Sequence, residues 1–110
     1  MMQVVFVVLH KTELLQDLLT KLKKAGVSGG TIIDSQGMIS YIQESDESYI
    51  LGSLRLFLEQ ARPDSKTMFF IIKDEQVDLV FETIDKALGG LENHNTGIAF
   101  AMPITRVEGV

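Results

Sequence analysis

The chain has 110 residues, 45% of them hydrophobic and 23% charged, with no cysteine and a formal net charge of −5. That composition suits one globular domain with one core, and it excludes disulfides and thiolate metal sites. The acidic balance argues against sequence-independent nucleic-acid binding, which draws on a basic face, and no apolar run approaches the ~20 residues that span a bilayer.

The opening Met-Met-Gln-Val-Val-Phe lacks the basic region and cleavage site of a secretory leader, so a cytoplasmic protein is the expectation. Residues 4–9 form an unbroken valine-rich run, which reads as a strand buried on both faces. Thr12 then stands where it can cap a helix, with Glu13 in the first turn near the positive end of the dipole. Leu14, Leu15, Leu18, Leu19 and Leu22 recur at helical spacing, and Gly26 supplies a left-handed stop. Lys21, Lys23 and Lys24 fall in the last turn, where cations are favoured; that position accounts for them, and they are assigned no site.

Residues 27–40 read as a turn followed by a strand from about Thr31, with Gly37 at a bulge or a close backbone approach. The polar stretch 43–48 reads as a loop. Beyond it Ile50, Leu51, Leu54, Phe57, Leu58 and Ala61 trace an amphipathic helix that Arg62-Pro63 ends. This short helix is expected to pack on its own domain or on a neighbouring subunit. Its polar face carries Arg55 and Arg62 beside Glu59, too few cations for a membrane-surface helix. Residues 67–72 give a third strand, and Asp74 stands at the cap of a second full helix. The apolar stripe of that helix is Val77, Val80, Phe81, Ile84, Ala87 and Leu88, and Gly89-Gly90 stops it. A last apolar run, interrupted by Pro103, follows Gly97.

Apart from the middle helix, the order is β-α-β-β-α-β. This predicts an α+β, ferredoxin-like domain over residues 1–110, with a four-stranded antiparallel sheet and two helices on one face. The fourth strand of such a sheet lies at an edge, where a proline is tolerated. The other face is left without helices, so association of several copies is expected to cover it.

Sites of chemistry are sparse. His10 ends the first strand and His94 precedes the last, so the two could meet, yet no cluster of carboxylates or cysteines accompanies them. No nucleophile elbow, zinc-helix motif or phosphate-binding loop is present, and no enzymatic activity is expected. Most glycines fall at element ends and read as caps and turns. Gly37 and the loop from Gly89 to Gly97 could also line a cleft between subunits, where free backbone N–H groups receive an anion.

Two segments carry a family resemblance. Gly26-Val-Ser-Gly-Gly-Thr-Ile-Ile-Asp-Ser-Gln-Gly-Met38 resembles the part of PII nitrogen-regulatory proteins that leads from the first helix into the second strand and the long T-loop. Asn95-Thr-Gly-Ile-Ala-Phe-Ala-Met-Pro-Ile-Thr-Arg-Val107 resembles the end of the PII B-loop and the final strand. The resemblance implies a cytoplasmic homotrimer in nitrogen regulation that binds ATP or ADP between subunits and grips a transporter or enzyme with its T-loop. Carried onto this chain, it implies a ligand cleft at Thr31, Gly37, Met38, Gly97 and Arg106. It further implies a partner-contacting region over 41–62 with Tyr41, Tyr49, Leu54 and Arg55. Ile98 stands where the family pattern has a phosphate-contacting lysine, and Arg106 alone stands where C-terminal arginines are usual. Both departures count against ordinary ATP or ADP binding and leave the effector unassigned. A related trimeric fold, the CutA type, would instead use His10 or His94 for a metal, and an interaction module without any ligand is a further alternative.

Overall fold

The computed structural model describes residues 1–38, 41, 64–93 and 96–110. Four strands form one antiparallel sheet: β1 (Met2–Leu9), β2 (Thr31–Ser35), β3 (Ser65–Lys73) and β4 (Gly97–Ile104), in the spatial order β2-β3-β1-β4. Among the described residues two helices connect them, α1 (Leu15–Lys24) after β1 and α2 (Val77–Ala87) after β3. Each crossover skips one strand, which is the ferredoxin-like arrangement expected from the element order. The amphipathic helix expected over 50–61, the loop over 43–48, and His94 lie outside the described residues.

The sheet has two unlike faces. Alternation along the strands puts Val5, Val7, Leu9, Met68, Phe70 and Ile72 on one side, all buried, where Leu18 and Leu22 of α1 and Val80, Ile84 and Ala87 of α2 pack on them. The other side carries Val4, Phe6, Val8, Phe69, Ile71, Ile98, Phe100 and Met102. There Ile98 is 57% exposed, Phe100 42% and Met102 44%, so this apolar face is open. The run 4–9 is therefore buried on one face only. Two crossover helices cover one side of a sheet, and a continuous valine run does not disclose that the second side lacks a cover.

Both helices begin differently from the expectation. A 3-10 turn, Thr12–Leu14, precedes α1; Lys11 stands at its N-cap, without a side-chain hydrogen bond. A second 3-10 turn, Asp74–Gln76, precedes α2; there the Gln76 side-chain oxygen accepts the Lys73 N–H at 2.9 Å. Asp74 is occupied elsewhere, accepting Gln3 Nε2 at 2.9 Å. The helix ends follow the sequence closely. After α1 the Val27 N–H reaches the Leu22 carbonyl and the Gly26 N–H reaches Lys23, with Gly26 at φ +100°. After α2 the Gly90 N–H reaches Asp85 and the Gly89 N–H reaches Lys86, with both glycines at positive φ. These paired bonds satisfy carbonyls that the helix itself leaves open.

β4 lies at an edge and holds Pro103. The His10 N–H donates to the Thr96 carbonyl at 3.1 Å, which sets the phase of the β1–β4 ladder. Alternation from that pair makes Gln3↔Pro103 a non-hydrogen-bonded pair, so the proline nitrogen faces away from β1. The sheet loses no ladder bond to it, and the outer edge offers one donor fewer.

Candidate functional site

β2 stops at Ser35, so Gly37 lies beyond the strand and forms no bulge. Its carbonyl accepts the Tyr41 N–H at 2.9 Å, and Met38 and Tyr41 have helical backbone. Met38 and Tyr41 are both exposed. Tyr49, Leu54 and Arg55 lie outside the described residues.

The five expected cleft residues are not gathered within one chain. Thr31 opens β2 and Gly37 follows it, on one edge of the sheet. Gly97 opens β4, on the opposite edge. Two strands intervene, and three strand spacings amount to about 14 Å. Gly97 is held tightly where it is: an added Cβ would come within 2.7 Å of the Val8 carbonyl oxygen and 3.5 Å of Leu9 Cα. This close approach of two backbones requires glycine. Beside it, Thr96 is fully buried, and its hydroxyl has no hydrogen-bond partner among the described residues. Its carbonyl is occupied, accepting the N–H groups of His10 and Lys11 at 3.1 and 3.4 Å.

Arg106 lies beyond β4 and is 83% exposed; its Nη2 pairs with Glu108 Oε1 at 2.6 Å, and its Nε donates to the same oxygen at 3.2 Å. The tail that carries it continues toward β2. Gly109 and Val110 there border a cavity of about 310 Å³ shared with residues 28–31 and Phe69, Phe70 and Ile71. Thr31 and the tail of Arg106 are therefore brought to one region, while Gly97 is not.

A second, polar hollow of about 250 Å³ lies at the far end of β2, lined by Thr12, Asp34, Ser35, Asp64, Ser65 and Lys66. Lys66 Nζ and the Asp34 carboxylate form an ion pair across the strands. On the open face, Thr67 Oγ1 donates to Ser35 Oγ at 2.8 Å, and Ser35 Oγ lies 2.7 Å from the buried Ser65 Oγ. The sequence reading passed over this hydroxyl chain. Its signal was the alternation of Ser65 and Thr67 on one strand, which puts both on one face.

Among the described residues no three His, Cys, Asp or Glu side chains cluster as a metal site. No helix among them is long and apolar enough to cross a membrane. The resolved perturbations of charge lie on α2: the hydrogen bond from Lys86 and then its charge hold Glu82 below the usual carboxylate range, and Glu82 raises Lys86 in turn.

No protein-family profile matches the chain, and no curated sequence matches it significantly. Its fold is similar to that of Arabidopsis thaliana PII, solved bound to citrate, with a TM-score of 0.64 and 20% identity over 94% of this chain and 77% of that one. The α+β ferredoxin-like sheet of the chain is a PII-like fold.

Proposed function

We propose that residues 1–110 act as one PII-like domain in a cytoplasmic homotrimer, a regulatory protein rather than an enzyme. It senses a small anionic metabolite in clefts between copies. The observation that carries this reading is the separation of Thr31 and Gly37 from Gly97 on opposite sheet edges. Residues of opposite edges complete one cleft when neighbouring copies meet edge to edge. The open apolar face supplies the reason for copies to associate, because a sheet face of this kind is stable only when covered.

The ligand classes supported are an adenine nucleotide or a small carboxylate. The neighbouring Arabidopsis PII fold was solved with citrate. The nucleotide form is the weaker of the two here: Ile98 brings an alkyl chain where a phosphate would seek an ammonium, and Arg106 is engaged by Glu108. An incoming anion must displace that carboxylate. Tyr41, with Tyr49, Leu54 and Arg55 of the 41–62 region, is the proposed contact for a transporter or enzyme partner.

Calorimetric titration with ATP, ADP, AMP, bicarbonate and citrate tests the sensing role. Saturable heat with any of them supports it, and silence with all three nucleotides removes its nucleotide form. Silence throughout favours a second reading, an interaction module that keeps the assembly without a ligand. Ile98 and the Arg106–Glu108 pair motivate that reading. It predicts no ligand-dependent rise in Tm, which a ligand binding only the folded state would cause.

A further inference from the structure

The helix-bearing face of the sheet is not fully covered. α1 and α2 pack over β3, β1 and β4, and they leave Ile32 of β2 44% exposed although it pairs with buried Met68 on that face. Between Ile32 and the C-terminal half of α1 lies a groove of about 640 Å³. Leu19, Leu22, Val27 and Met68 give it an apolar lining, and Lys23 stands among them. The volume is that of a small-molecule site, which commonly spans roughly 300–1,000 Å³ with apolar walls and few polar groups.

The charge of the groove is opposite to that of the protein. Among the described residues the lining includes no carboxylate, whereas the chain as a whole carries −5. Lys21, one turn from the groove, is taken by Asp17 at 2.9 Å. Lys23 has no ion pair among the described residues. The backbone N–H groups of residues 28–30, on the groove wall, likewise have no backbone partner among the described residues. An apolar wall with one ammonium that has no ion pair among the described residues suits a ligand with an apolar body and a single anionic head. The groove opens on the side of the sheet opposite the apolar face assigned to assembly, beside the β2 edge.

We infer that this groove binds a monocarboxylate with an apolar body, such as a medium-chain acyl acid, with the carboxylate on Lys23 and the chain against Leu19, Ile32 and Met68. The groove lies on the helix side of the loop at residues 28–30, which also borders the cavity beside Gly109 and Val110.

Decanoate and the neutral decanol, both below their aggregation concentrations, are the probes, with binding followed by calorimetry on the full chain. Decanoate is expected to bind saturably and about fivefold more tightly than decanol, the scale of one partly exposed ion pair. Lys23→Gln should remove that advantage and leave decanol binding unchanged. Ile32→Trp, or Ser28→Trp at the rim should the first variant lose its circular dichroism, should abolish binding of both. Absence of saturable decanoate binding, equal affinity for the two probes, or full decanoate affinity in either tryptophan variant would overturn the assignment.

Discussion

The rings of Phe6 and Phe100 stack with 5.1 Å between centroids and 12° between planes, on the sheet face opposite α1 and α2. Phe69 joins Phe6 from the other side at 5.6 Å. Three phenylalanines from three adjacent strands thus form a row across a surface open to water. Aromatic rows of this sort bury large areas once a second surface is laid on them. Phe100→Asp places a charge in the middle of that contact. It is expected to convert an assembled protein into monomers without loss of helical circular dichroism, as followed by light scattering after size exclusion. An unchanged assembly would show that copies meet elsewhere.

Gly97 and Gly37 make a controlled pair. A Cβ at Gly97 meets backbone at 2.7 Å, while one at Gly37 meets nothing within 4 Å. Gly97→Ala should cost about 1–3 kcal/mol, the usual scale of overpacking against atoms that cannot move aside. Gly37→Ala should leave stability within about 0.5 kcal/mol. Urea unfolding of both variants checks this, and equal midpoints would contradict the close approach at the start of β4.

Thr96 is buried with its hydroxyl unpaired among the described residues. Desolvating such a group without a partner costs about 1–3 kcal/mol. Thr96→Val keeps the shape, keeps the carbonyl that receives His10 and Lys11, and removes the unsatisfied group. The variant should be more stable by about 1 kcal/mol in thermal or urea unfolding. A destabilised variant would mean that the hydroxyl has a bound water as partner.

The Glu82–Lys86 pair gives a titration with a defined sign. Glu82 is held low by the Lys86 hydrogen bond and charge, so its stabilising contribution is present above the ordinary carboxylate value and is lost as pH falls through the lowered one. Lys86 is raised, so its contribution holds below the ordinary ammonium value and is lost as pH rises through the raised one. Both side chains are exposed, so the effect on stability is small and fades with salt. The Glu82 carboxyl carbon should titrate below the ordinary range by NMR and return to it in Lys86→Met.

Much of the fold was legible because short-range rules govern it. Leucine spacing, the stops at Gly26 and Gly89-Gly90, and the edge position of Pro103 each rest on local backbone chemistry, and the structure has them. The helix starts differ from the expectation: Thr12 and Asp74 suit a cap by type, but each helix is entered through a 3-10 turn, and Asp74 is engaged by Gln3, a contact distant in sequence. Gly37 suits a bulge or a close backbone approach by type, but β2 ends at Ser35 and nothing lies within 4 Å of a Cβ at Gly37. The candidate site was less legible. Thr31, Gly37 and Gly97 sit at the corners that the topology implies, but their separation across the sheet depends on strand order. The groove at Lys23 went unseen because a lysine in the last turn of a helix already has a sufficient reason to be there.

Sedimentation equilibrium of the purified chain tests the central claim most directly. Assembly through the open phenylalanine face, with clefts completed between copies, predicts a single species of three times the 12.2 kDa chain mass. A species of 12.2 kDa that persists as concentration rises would contradict it.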